Sequence, residues 1–201
     1  EWTSRLLDRT EMWLRRMIAR FRRRKGRGQP APGRADPPPA KIEFRPIGVI
    51  HSPFTKPDGM PIQPAGAAAA KGTVEVFEEY RAGLADLDGF SHIILLYHLH
   101  LSRGFDLGVV PFLDSRQRGL FATRAPRRPN PIGLSIVRLD RVEDGVLHIG
   151  NVDILDGTPL LDIKPYVPRF DEQSSVRTGW LEHAGKSITD TKSDGRFDKH
   201  E

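Results

Sequence analysis

Between residues 42 and 184 the apolar segments are short, rich in β-branched residues and separated by turn signals, which is the pattern of strands and not of helices. Strands are predicted at 42–50, 73–77, 91–101, 134–141, 146–154 and 160–163, with turns at Glu143-Asp144-Gly145 and Asp156-Gly157. Residues 80–87 form the one predicted core helix. Because strand follows strand without helices of about 10–15 residues between them, the pattern predicts a mainly β domain, a small barrel or sandwich with short helices, and not a doubly wound sheet.

Outside that unit the pattern changes. In 1–25, Leu6, Leu7, Leu14, Met17, Ile18 and Phe21 recur at helical spacing with arginines between them, predicting a basic amphipathic helix capped by Thr3 or Ser4. Charges interrupt its apolar run too often for a bilayer span or a signal peptide, so the readings are an RNA-gripping arm, a membrane-surface helix making weak contact, or a helix packed on the core. Residues 26–41 are rich in proline and glycine and read as a linker; the GRGQPA within them lacks the preceding strand that a dinucleotide-binding turn needs. Residues 185–201 are polar and expected to fray. A start at Glu1 instead of Met is read as an internal or trimmed start.

Charge sharpens this division. The chain carries a net charge of +5, yet residues 1–27 hold ten Lys/Arg against three Asp/Glu, leaving 21 basic and 23 acidic side chains elsewhere. Nucleic-acid binding by the core must therefore rest on a local cluster and not on the overall balance. No cysteine occurs, which fits a reducing cytoplasmic setting and excludes disulfides, thiolate zinc sites and a cysteine nucleophile. There is no G-x-S-x-G, P-loop or H-E-x-x-H pattern, so hydrolase, kinase and zincin chemistry lack support.

The local cluster is RGLFATRAPRRPNPIGL, at 118–134. Arg116, Arg118, Arg124, Arg127 and Arg128 follow one another with no acidic residue among them, so an anion, or carboxylates from elsewhere in the chain, must neutralise them. Prolines on both sides hold Asn130 with its amide in a restricted orientation, suited to a planar polar edge. The alternative is an arginine-rich surface loop held by internal salt bridges. A second long segment, 51–72, is broken by proline and costly unless it closes over something; Gln63 is its best directional hydrogen-bonding group. His92, His98 and His100 share a parity, which invites a metal site, but no carboxylate completes a ligand spacing, and a pocket-lining histidine is the reading taken. Asp153 and Asp156 flank a turn where they serve the bend or bind ribose hydroxyls or a cationic group.

IGVIHSPF, GFSHI, GLFATRAPRRPNPIGLS and DILDGTPLLDIKPY, in that order, resemble the TsaA-like β-barrel methyltransferase family over 42–171. The resemblance implies a barrel domain acting as a homodimer, without a metal, that uses S-adenosyl-L-methionine to methylate N6 of threonylcarbamoyladenosine at position 37 in the tRNA anticodon loop. It implies cofactor contacts at Pro61, Ile62, Gln63, Leu99, His100, Arg124, Leu134, Asp153, Ile154, Leu155 and Asp156, and RNA contacts at Arg124, Arg127, Arg128 and Asn130. Ile62 stands where many bacterial members carry an arginine before the glutamine. No catalytic base is assigned; Asp156 and His100 are candidates. Two other classes remain open: a non-catalytic module that binds the cofactor or RNA, and a methyltransferase acting on a small molecule.

Overall fold

A computed structural model describes residues 41–67, 70–184, 187 and 189–197. The expected arm and nearly all of the linker lie outside the described residues. The chain divides into two units, 1–43 and 44–201. In the first, Lys41 pairs with Glu43 at 2.7 Å; everything below concerns the second.

Six strands close into a barrel: β1 (Gly48–His51), β2 (Lys71–Val76), β3 (His92–His98), β6 (Ile132–Glu143), β7 (Val146–Gly150) and β8 (Thr158–Pro165). They run around it in the order β1-β2-β7-β6-β3-β8, and every neighbouring pair is antiparallel. Each predicted strand contributes one of them. Two short strands, β4 (Gly108–Val109) and β5 (Arg118–Gly119), form a ribbon inside the long β3–β6 connection, too brief to leave a sequence signal. Alternation fills the interior. Ile93, Leu95 and Tyr97 of β3 and Val137 and Leu139 of β6 meet Ile50, Val74, Leu147, Ile149 and Leu160, each burial contributing about 1.5–3 kcal/mol.

Boundaries shift where backbone chemistry overrides composition. The first strand begins at Gly48 and not at residue 42, beyond Pro46, which has no N–H to give to a ladder. The β7 strand stops at Gly150 because Asn151 takes φ 62, turning the chain. The predicted helix over 80–87 resolves into two 3-10 segments, Glu78–Leu84 and Leu87–Gly89, separated at Asp86, whose φ is 65. The only α-helical turn among the described residues is α1 (Pro168–Asp171). As expected, β6 and β7 join at Asp144-Gly145, both at positive φ, which suits a tight hairpin. The C-terminal segment does not fray within 189–197. Ser193 exchanges backbone hydrogen bonds with Gly59 and Met60, and Phe197 packs on Val109, Leu120 and Ala125.

One contact fixes the register of β3 against β6. Tyr97 lies opposite Gly133, and its ring occupies the space a Cβ there would need. Gly133→Ala is therefore expected to destabilise the barrel by about 1–3 kcal/mol, since the buried ring cannot swing away. Gly119, at φ −62 with nothing near its missing Cβ, should accept alanine within about 0.5 kcal/mol; urea denaturation of the two variants checks the contrast.

Candidate functional site

In an all-antiparallel closed barrel, alternate connections leave by the same rim. The β1–β2 loop (52–70), the β3–β6 loop (99–131) and the β7–β8 loop (151–157) all emerge at one end. These three loops carry every predicted site residue except Leu134, which lies two residues inside β6.

Backbone–side-chain bonds stitch the first loop to the third. Ser52 Oγ donates to the Ile154 carbonyl at 2.6 Å and accepts the Phe54 N–H at 3.1 Å, while the Asp156 N–H donates to the Phe54 carbonyl at 2.7 Å. The Asp156 carboxylate accepts the Ser52 N–H at 3.1 Å and lies 3.3 Å from His51 Nδ1. The Ser52 N–H above all, with His51 adding to it, holds that carboxyl below its usual range. Asp156 thus works first as a turn residue that pins two loops. On the same turn Thr158 Oγ1 donates to the Leu155 carbonyl at 2.7 Å and lies 3.4 Å from His100 Nδ1. Burial, then the neighbouring His98 and Arg103, depress His100, leaving a neutral imidazole at physiological pH.

The second loop closes onto the first at Arg124, whose Nη1 donates to Gln63 Oε1 at 2.9 Å. Pro61 and Ile62 are half-buried beside Gln63, and Pro61 bridges to Lys192. Leu99 donates its N–H to the Pro131 carbonyl at 2.8 Å, closing the neck of the loop.

Beneath them runs a relay with a fixed direction. Ser135 Oγ donates to Asp153 Oδ1 at 2.7 Å and lies 2.9 Å from the Tyr97 hydroxyl. Because serine has one proton and gives it to the carboxylate, Tyr97 is the donor to Ser135. Burial pushes the Asp153 carboxyl up to about 6, against the opposing pull of the Ser135 hydroxyl and the Arg124 guanidinium. The Tyr97 phenol is pushed upward by burial and by Asp153. Neither Tyr97 nor Ser135 was singled out from sequence. Their signal was parity, since both face inward on strands whose intervening residues face out.

Two expected contacts do not join this cluster through their side chains. Ile154 is 2% exposed and its side chain belongs to the core, leaving only its backbone. Leu134 is 47% exposed on the outer face of β6 opposite Leu96, in a stripe with Ile132 and Ile136. The histidines separate too. His92 and His98 lie at opposite ends of β3, about 20 Å apart at ~3.3 Å per residue, and His100 falls beyond the strand. Among the described residues no group of three or more His, Asp or Glu is placed to hold a metal ion.

The arginines divide. Arg118 binds Asp114 through Nε at 2.8 Å, and Arg127 lies 3.3 Å from Asp106 with its Nε buried and unpartnered. Arg128 Nη1 ties the Thr123 and Ala125 carbonyls at 3.0 and 3.3 Å. Arg116, Arg124 and Arg128 form no salt bridge among the described residues, although the charge of Arg124 acts on Asp153. The Asn130 side chain is exposed and makes no hydrogen bond among the described residues. A cavity of about 220 Å³ lies beside the loop, lined by Asp106, Val109, Arg127, Arg196 and Phe197, apart from Gln63, His100 and Asp153.

Comparison with known proteins follows the same loops. The tRNA-methyltransferase O N-terminal domain family matches residues 49–172. A probable S-adenosyl-L-methionine-binding protein of Pyrococcus abyssi is 54% identical over 156 residues, covering 78% of this chain and 85% of that protein. A tRNA (adenine(37)-N6)-methyltransferase of Homo sapiens is 33% identical over 138 residues, and this chain spans 31% of its length. The crystal structure of TrmO from Pseudomonas aeruginosa superposes with a TM-score of 0.58 at 40% identity, over 69% of this chain and 62% of that one. Barrel, loops and comparisons agree that the chain belongs to the tRNA-methyltransferase O N-terminal domain family.

Proposed function

We propose that this chain is a cytoplasmic S-adenosyl-L-methionine-dependent methyltransferase that acts on N6 of threonylcarbamoyladenosine at position 37 in tRNA. The observation that carries the reading is the Arg124–Gln63 bond, which joins two loops 61 residues apart and leaves the Arg124 charge acting on the partly buried Asp153 carboxylate. Relatives named for binding S-adenosyl-L-methionine and for methylating tRNA adenine-37 support it.

The donor set fits the cofactor. A guanidinium (Arg124) and an amide (Gln63) suit its carboxylate, Asp153 suits a cationic centre, and half-buried Pro61, Ile62, Leu99 and Leu155 offer backbone and apolar surface. When bound, S-adenosyl-L-methionine supplies a methyl group already activated by the positive charge on sulfur. The protein's part is to position and to exclude water. Arg124 and Gln63 would hold the ligand's carboxylate and Asp153 would supply negative charge for its sulfonium, with the neutral His100 beside the turn that Asp156 fixes. Arg124, Arg127, Arg128 and Asn130 face the RNA, where splayed anticodon-loop bases meet side-chain amides and guanidinium groups. A homodimer is part of the proposal. The outward stripe of Ile132, Leu134 and Ile136, continued across the sheet by Ile94 and Leu96, is an apolar surface suited to a second copy, and would return Leu134 to the site of a partner.

Three outcomes test this. Incubated with labelled S-adenosyl-L-methionine, the protein should transfer methyl to tRNA carrying the threonylcarbamoyl group and not to tRNA lacking it; label in neither sinks the assignment, and equal label in both sinks the acceptor. Gln63→Ala should weaken cofactor binding about tenfold or more by calorimetry, while leaving RNA affinity within about twofold. Cofactor affinity should rise as pH climbs through about 6, because Asp153 is neutral below that value and charged above it. Asp153→Asn should bind weakly with no such rise, and a wild-type profile flat from pH 5 to pH 8 would remove Asp153 from the sulfonium.

A further inference from the structure

The 3-10 turn Leu120–Ala122 places two adjacent large side chains in opposite environments. Leu120 is 1% exposed and fills the small core with Val109, Ala125 and Phe197, whereas Phe121 is 75% exposed. Leu120, and not the ring, takes the inward position of the turn. Three hydrogen bonds hold the turn. The Leu120 N–H donates to the Leu107 carbonyl at 2.9 Å, Thr123 Oγ1 to the Leu120 carbonyl at 2.8 Å, and Trp180 Nε1 to the Ala122 carbonyl at 2.8 Å. The turn thereby presents an aromatic ring to solvent.

Arg128 lies over that ring, its Cζ 5.7 Å from the centroid. Its Nη1 is engaged with the Thr123 and Ala125 carbonyls. Three residues on, Arg124 reaches Gln63. Three Cα–Cα steps of about 3.8 Å put Phe121 within ~11 Å of the residue that closes the proposed cofactor site.

We propose that Phe121, backed by Arg128, is a stacking platform for an unpaired nucleobase next to the one being methylated. The inference rests on the RNA reading above and adds a contact to it. Its occupant follows from charge. A bare exposed ring would suit any apolar partner, but this one lies under Arg128 on a segment that also carries Arg116 and Arg124, and none of the three forms a salt bridge among the described residues. A second copy of the chain meeting this patch across a two-fold axis would bring like charges together. A base joined to phosphates brings a flat π-face for the ring and anions for the guanidinium groups at once.

The test measures binding and not turnover, by fluorescence anisotropy of a labelled single-stranded anticodon-loop RNA with the full chain. Phe121→Ala should weaken binding by roughly 5- to 100-fold, the range expected for one stacked base. Phe121→Leu, apolar but without a π-face, should fail nearly as badly. Phe121→Trp should bind within about threefold of wild type, with indole fluorescence quenched by the RNA. S-adenosyl-L-methionine affinity should be unchanged in all three, showing that the rim is intact. The proposal is overturned if Phe121→Leu binds like wild type, if Phe121→Ala loses nothing, if sedimentation shows Phe121→Ala altering only the oligomeric state, or if the wild-type chain does not bind the RNA. A wild-type chain that stacks RNA on Phe121 yet transfers no methyl overturns the methyltransferase reading and leaves the platform standing. One that methylates tRNA while Phe121→Ala binds normally does the reverse.

Discussion

Antiparallel closure constrains where this chain can put its loops. With six strands alternating in direction around the barrel, the connections after β1, β3 and β7 have no choice but to share a rim. Three segments that lie far apart in sequence, each too long or too polar to be a simple turn, are thereby collected at one place. The interior does the rest. Its alternating Ile, Val and Leu positions leave no room for a one-residue slip, because such a slip would turn every buried side chain outward. The site's geometry is therefore inherited from strand register, and register near the rim is held by Tyr97 against Gly133.

That same tyrosine begins the buried polar relay. A buried hydroxyl and a partly buried carboxylate at the rim of an apolar barrel are costly unless each finds its partner, and the order Tyr97, Ser135, Asp153 gives every proton an acceptor. The carboxylate at its end is left with a raised affinity for protons and the charge of Arg124 acting on it. A group held in that state is poorly stabilised by the fold alone. Such a carboxylate gains more from an incoming cation than a solvated one would.

How much of this was legible follows from which forces act locally. Strand alternation is a local property, so all six barrel strands were visible in the sequence; their ends shifted at nearly every strand, furthest where Pro46 or the positive φ of Asn151 intervened. The segment 118–134 and the pair Asp153 and Asp156 stood out because arginines without acids, and aspartates at a bend, are unusual over a few residues. Nothing local says that Gln63 meets Arg124, that Ser135 feeds Asp153, or that Leu134 faces away from both, since each depends on barrel closure and on which face a strand presents. The C-terminal segment was misread for a related reason. Its polar composition hides one aromatic, Phe197, that docks into the β3–β6 loop, and one arginine, Arg196, that donates to the Pro111 carbonyl at 3.0 Å.

The arginine loop shows the two resolutions of a charge cluster side by side. Asp114 takes Arg118 and Asp106 takes Arg127, which is the internal salt-bridge solution, and both acids come from earlier in the same loop. Arg128 is spent on carbonyls, which satisfies its hydrogen bonds without cancelling its charge. Among the described residues Arg116 and Arg128 are left without a carboxylate beside them, and Arg124 has only the longer-range charge of Asp153, with Phe121 between Arg116 and Arg124 in sequence. A loop that merely needed to be stable would not stop there, because further acids nearby would relieve the repulsion at no cost to the fold. Leaving positive charge beside an exposed ring and an exposed Asn130 side chain lowers the stability of the empty loop and raises the affinity of a filled one. That exchange is what a surface organised around a polyanion requires.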